Sequence, residues 1–270
     1  MLLLRCAARS ARARPLRASY GVVVTCSSPP ANRAFGTSAA DATRNAADVR
    51  DLLRTRLSLT DAEVDKVVRF RPVGARATVE PKLQWLQARL DLDAAQLGKM
   101  VLRLPPLLSK SVESMDSRLD WLQRRLGLDE AGLRKMVLSL PSLLSYSVED
   151  NMEPKLDWLQ DRLELDAAQL KKMVLTLPAL LSYSAEANMA PKLAYLERET
   201  GLSRSELRDR VLRFPQFMSY SLEKRYRPRL EACRAAGVDA EYVLTYVSKT
   251  DEKFYELLET KKDAVGEPMR

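Results

Sequence analysis

LSLPSLLSYSVE, residues 138–149, is one of four versions of the same twelve-residue stretch. The others are LRLPPLLSKSVE (102–113), LTLPALLSYSAE (175–186) and LRFPQFMSYSLE (212–223). Their shared prolines, Pro105, Pro141, Pro178 and Pro215, are 36, 37 and 37 residues apart. Trp85, Trp121, Trp158 and Tyr195 step by the same intervals, and Met100, Met136 and Met173 follow them. Self-similarity at a fixed period of this length marks a stacked repeat. A first, diverged unit runs from about 45 to 78 and contains Arg69-Phe70-Arg71-Pro72.

Each unit reads as two helices and a short third element. In 79–114, Pro81 sits where the first turn of a helix tolerates proline, and Leu83, Leu86 and Leu90 follow at helical spacing. Asp93 and Gln96 form a capping-box pattern that starts a second helix. Thr60/Glu63, Asp166/Gln169 and Ser203/Glu206 repeat it. Leu97, Met100, Val101 and Leu104 make the apolar stripe of that second helix. Pro105 ends it, because the ring lacks an N–H and clashes with the preceding turn. Leu107 and Leu108 are expected to pack as the third element, and Ser109 or Ser111 to begin the return. Such a unit cannot bury its own stripe, whereas stacked neighbours can. The expected architecture is an all-α helical-repeat solenoid of about five such units over 45–224, with C-terminal helices in 225–270 completing the array.

The motif of Leu-x-Leu/Phe-Pro-x-Leu-Leu-Ser-x-Ser, then a polar turn, then Pro-Lys-Leu-x-x-Leu, resembles the repeat of the mitochondrial transcription termination factor (mTERF) family. The run from Phe214 to Arg229 is the nearest match, and the resemblance covers about 45–250. It implies a left-handed or half-ring superhelix whose concave face holds double-stranded nucleic acid, with a role in organelle transcription or RNA handling. Organellar transcription or ribosome components are the implied protein partners.

The amino-terminal composition fits an organellar address. Residues 1–35 carry Arg5, Arg9, Arg12, Arg14, Arg17 and Arg33 and no acid. This is the composition of a transit peptide, and Arg33-Ala34-Phe35-Gly36 resembles a mitochondrial processing site. Cleavage after Phe35 and a linker over 36–44 are expected, in a mitochondrial protein, with the chloroplast as the alternative address. Removing those six arginines from the formal charge of +8 leaves +2, so overall basicity by itself argues nothing about nucleic acid.

Charge distribution is more informative. One ladder, Lys82, Arg118, Lys155, Lys192 and Arg229, lies just inside the first helix of each unit; a second, Lys99, Lys135 and Lys172, lies just before the repeated Met. Arg134 and Lys171 stand beside the second. Residues 204–234 hold nine basic and four acidic residues, including Arg208, Arg210, Arg213, Lys224, Arg225, Arg227 and Arg229. A basic patch on an otherwise acidic body is the footprint of a polyanion binder. The candidate nucleic-acid contacts are therefore Lys99, Lys135, Lys172, Lys192, Arg208, Arg210, Arg213, Lys224, Arg225, Arg227 and Arg229. The competing reading of each is a solvated or snorkelling cation on a helix surface. The Trp and Met series read as packing between repeats rather than as base-stacking surfaces. Tyr146, Tyr183 and Tyr220 are placed to bond across units.

Catalysis has little to stand on. The chain has no His, nine scattered Gly and three Cys, of which Cys6 and Cys26 fall in the leader. No phosphate-binding Gly loop, nucleophile–base pair or metal-spaced cluster is legible, and no cofactor, small-molecule substrate or membrane span is expected. The expected function is binding of double-stranded DNA, or of structured RNA, in transcription termination or regulation. The alternative is a protein-interaction scaffold that makes no nucleic-acid contact.

Overall fold

The structure is a computed structural model that describes residues 39–69 and 74–266. The expected leader and cleavage site lie outside the described residues, as do Phe70-Arg71-Pro72 of the first unit. Among the described residues there are thirteen α-helices and no strand. Five helix pairs follow one another: α1 (Ala39–Leu57) with α2 (Asp61–Arg69), α3 (Arg76–Leu90) with α4 (Ala94–Arg103), α5 (Val112–Leu126) with α6 (Glu130–Ser139), α7 (Glu153–Arg162) with α8 (Ala167–Thr176), and α9 (Ala190–Thr200) with α10 (Arg204–Arg213). Three more helices complete the array: α11 (Arg227–Ala235), α12 (Glu241–Tyr246) and α13 (Asp251–Gly266). Helix α1 begins at Ala39, inside the stretch expected to be linker, where Ala39, Ala40 and Ala42 favour helix.

The second helix of each pair starts where the sequence says it must. Asp93, Asp166 and Ser203 each accept from the backbone N–H three residues on, and Gln96, Gln169 and Glu206 reach back to complete the box. Thr60 and Glu63 make the same reciprocal bonds. Asp129 caps α6 alone, because Gly132 has no side chain to return the bond. A capping residue of this kind contributes about 1 kcal/mol. The helices stop at Leu104, Leu140, Leu177 and Phe214, whose backbone is driven out of the helical region (φ −136, −137, −135 and −141) by the proline that follows.

That proline then opens a 3₁₀ turn: Pro105–Ser109, Pro141–Ser145, Pro178–Ser182 and Pro215–Ser219. The turn buries its two apolar residues almost completely, Leu143, Leu144, Leu180 and Leu181 among them. Each such side chain contributes about 1.5–3 kcal/mol of burial. The two serines of the motif divide the work. Ser109, Ser182 and Ser219 donate to the carbonyl three residues back, at 2.7, 2.6 and 2.7 Å. Ser111, Ser147, Ser184 and Ser221 cap the helical segment that follows.

The structure locates the extra residue of the 37-residue units. From the capping serine to the aromatic position is ten residues for Ser111 to Trp121 and eleven for Ser147 to Trp158 and for Ser184 to Tyr195. In the longer units the chain makes a π turn directly after the serine, at Val148–Met152, Ala185–Met189 and Leu222–Tyr226. Met152, Met189 and Tyr226 donate to carbonyls five residues back. In α5, Met115 bonds four residues back instead. One inserted residue is thus absorbed as a π bulge. The downstream face stays in register, so Leu119, Leu156 and Leu193 are all fully buried. Trp85, Trp121 and Trp158 pack against one continuous apolar core, and Tyr195 is buried in it.

Candidate nucleic-acid interface

Four series of side chains recur once per unit, and three are consumed by holding units together. The first is the ladder from Lys82. Lys82 donates to the Leu108 carbonyl (2.6 Å), Arg118 to that of Tyr146 (2.6 Å), Lys155 to that of Leu181 (2.9 Å) and Lys192 to that of Met218 (2.5 Å). Each cation therefore caps the 3₁₀ turn that closes its own unit, whose last carbonyls have no partner inside so short a helix. The last rung, Arg229, reaches the carbonyls of Tyr246, Val247 and Lys249 at 3.1, 3.2 and 2.7 Å, and Asp251 at 2.7 Å. Lys192 and Arg229, both expected to face nucleic acid, are instead interior side chains, 2% and 1% exposed. An amphipathic first helix turns this position toward the core, and the carbonyls waiting there are paired by the cation.

Burial depresses the lysines of this series. Lys82 and Lys155 lie below the ordinary lysine range through desolvation, partly offset by Glu113 and Glu186 respectively. Lys192 has no such acid and is pushed down to about 8. The unfolded chain, near 10.5, then binds more protons than the folded chain between those values, so this group adds stability as pH rises through about 8. Buried Cys233 acts oppositely: its thiol is raised from 9.0 to about 11, which erodes stability above pH 9. Between pH 8 and 9, amide protection in the Pro215–Ser219 turn is expected to rise in the wild type and to stay flat in Lys192→Met. Hydrogen exchange at the two pH values, corrected for intrinsic rates, reads this out.

The second series went unnoticed in the sequence. Arg89 binds Asp116, Asp120 and Glu130 at 2.9, 2.8 and 3.3 Å; Arg125 binds Asp157 and Arg162 binds Glu197, both at 2.6 Å. Each links the first helix of one unit to the next unit. Glu199 takes the same position one unit on and reverses the polarity, pairing with Arg234 at 2.5 Å. The third series reaches backwards to the left-handed residue that ends the preceding unit's first helix. Arg134 pairs with Asp91, Lys171 donates to the Gly127 carbonyl (2.5 Å) and Arg208 stands 3.9 Å from Glu164.

The basic stretch 204–234 is dispersed in the same way. Arg210 pairs with Glu241, and Arg204 lies 3.6 Å from Glu164. Arg225 donates to the Val247 carbonyl (3.0 Å) and covers the Tyr220 ring. Arg227 pairs with Glu223 (2.9 Å) and covers the Tyr195 ring. Glu164, Glu199, Glu241 and Asp251, all outside the stretch, neutralise much of it; counting charges in a sequence window misses them. Arg213 and Lys224 remain exposed, without a side-chain partner among the described residues.

The fourth series is free. Lys99, Lys135 and Lys172 each stand six residues after the N-cap of a second helix, exposed and without a side-chain partner among the described residues. Lys66 in α2 has the same offset from Thr60 and the same exposure. The sequence reading passed over it because its unit is diverged, although the Thr60/Glu63 box supplied the register. Neighbouring second helices lie side by side: α2 packs on α4 and α6 on α8, and Arg103 of α4 donates to the Leu138 carbonyl of α6 (3.0 Å). Equal offsets on packed helices put these ammonium groups in one row. Tyr146, expected to bond across units, instead accepts from Ser142 of its own unit (3.0 Å).

The family model for mTERF matches residues 55–255, well over half of the chain and nearly all of the array. The chain belongs to the mTERF family. At the level of the family, membership implies organellar nucleic-acid binding and transcription regulation by a helical-repeat protein. No curated protein matches the chain. In this mTERF protein no described helix is long and apolar enough to cross a membrane. Among its described residues, no three His, Cys, Asp or Glu gather in a way that would hold a metal ion.

Proposed function

We propose that this mTERF protein binds double-stranded DNA in the mitochondrion and regulates transcription there, termination included, by occupying its site. One observation carries the reading. Lys66, Lys99, Lys135 and Lys172 recur at a single offset on successive second helices and stay free, whereas the other periodic cations are bound to neighbouring units. Packed helix axes lie about 8–10 Å apart. Phosphates of one strand rise about 3.4 Å each along the duplex axis, so the row meets roughly every second or third phosphate. Such contacts hold and orient a duplex without reading its sequence.

The test is binding at a series of salt concentrations, with a duplex and with a structured RNA. Four lysine–phosphate contacts predict a log–log slope of about −3.6 for duplex DNA, at about −0.9 per contact. The measurement is made on the full chain and on a chain beginning at Gly36. A slope that vanishes with the leader would assign binding to the leader's arginines, and a flat response in both would favour a protein-interaction scaffold. Tighter binding of the RNA at every salt would move the assignment from DNA to RNA.

A further inference from the structure

The lysine row stops at the fifth unit, and an acid stands in the next place. Asp209 lies six residues after Ser203, the N-cap of α10, as Lys172 lies six after Asp166. Asp209 is exposed, and its bond is to the side chain beside it, Arg208 Nε at 3.1 Å. Arg208 also faces Glu164 on the preceding unit, so it offers little net charge to a ligand. Four residues further along α10 comes Arg213, exposed and without a side-chain partner among the described residues. Four residues place it on the same helix face, about 6 Å further along the axis. The free cations thus run Lys66, Lys99, Lys135, Lys172 and then step sideways to Arg213, past a carboxylate on the line they leave.

We infer that Asp209 terminates the phosphate track: it repels the strand from the line of the four lysines and diverts it one helical turn, to Arg213. This rests on the proposed binding of a nucleic-acid backbone by the row. A carboxylate beside a phosphate strand repels it, and no cation at that place compensates. The site therefore has a defined end, and the protein a fixed register along its ligand.

The experiment is a salt titration of duplex binding by the full chain, in wild type, Asp209→Asn, Asp209→Lys, Arg213→Ala, Asp209→Lys/Arg213→Ala and Lys172→Ala. Asp209 is exposed and bonded only to its neighbour, so these changes leave the core intact; circular dichroism checks this. Asp209→Lys is expected to steepen the slope by about 0.9 and to tighten binding on the order of tenfold at 0.1 M salt, the counterion-release worth of one phosphate contact. Asp209→Asn tightens binding with the slope unchanged. Arg213→Ala flattens the slope by about 0.9 in the wild type and much less in the Asp209→Lys background, because the strand then follows the straight line. Wild-type slope and affinity in Asp209→Lys, with Lys172→Ala still flattening the slope, would overturn the inference and leave the row in place. If Lys172→Ala also leaves the slope unchanged, the row itself is not the binding site and both readings fall.

Discussion

Arg229→Met is expected to destabilise the carboxy-terminal part of the array by about 3–5 kcal/mol, the range for stranding the partners of a buried charge. Arg229 is the largest fully buried side chain in the described structure. Its guanidinium bonds three carbonyls between α12 and α13 and the Asp251 carboxylate, and it covers the Phe254 ring at 4.4 Å. Asp251 is held below the usual carboxylate range, first through its hydrogen bond from Arg229. A methionine fills similar space but leaves those acceptors unpaired. Lysine at 229 is expected to restore only part of the loss, since one ammonium does not span carbonyls that the planar fork reaches together. Repeat arrays need not unfold as one unit, so the readout must be local. Hydrogen exchange should show protection lost across α12 and α13 and retained in α3 to α6. Unchanged protection in α12 and α13 would mean that apolar packing alone holds them.

The second large effect concerns binding. Changing Lys66, Lys99, Lys135 and Lys172 together to Ala is expected to weaken duplex binding by about three orders of magnitude at 0.1 M salt, from four lost counterion-releasing contacts. Helix content should not fall, because each lysine is exposed and without a side-chain partner among the described residues. Alanine is also the better helix former. Changing Lys82, Arg118 and Lys155 to Ala removes as many periodic cations but strips the caps from three 3₁₀ turns. That variant should lose stability while its folded fraction binds with the wild-type salt dependence. Charge by itself would predict similar binding losses from both; the structure predicts opposite phenotypes.

Much of the fold was legible because it is written four times. The prolines, the capping boxes and the paired leucines each act within a few residues, and local rules read them correctly. The step from 36 to 37 residues was visible as a number, but its meaning was not. Only the backbone shows that the added residue falls between the capping serine and the aromatic position and becomes a π turn. The candidate site was less legible for a different reason. What decides whether a periodic lysine is free is its partner, and the partners of Lys192, Arg134 and Arg225 lie 26, 43 and 22 residues away. Nothing local separates Lys155 from Lys172; the first faces a carbonyl of its unit's closing turn and the second faces outward. The basic stretch 204–234 misled for the same reason, its acids being distant in sequence and near in space.

The central claim is that nucleic acid is gripped by the four free lysines of the second helices and not by the other cations. The most direct test compares the salt dependence of duplex binding by the wild type and by the four-lysine variant under identical conditions. The slopes should differ by about 3.6, with the variant close to flat. Equal slopes, at whatever affinity, would place the phosphate contacts elsewhere on the chain.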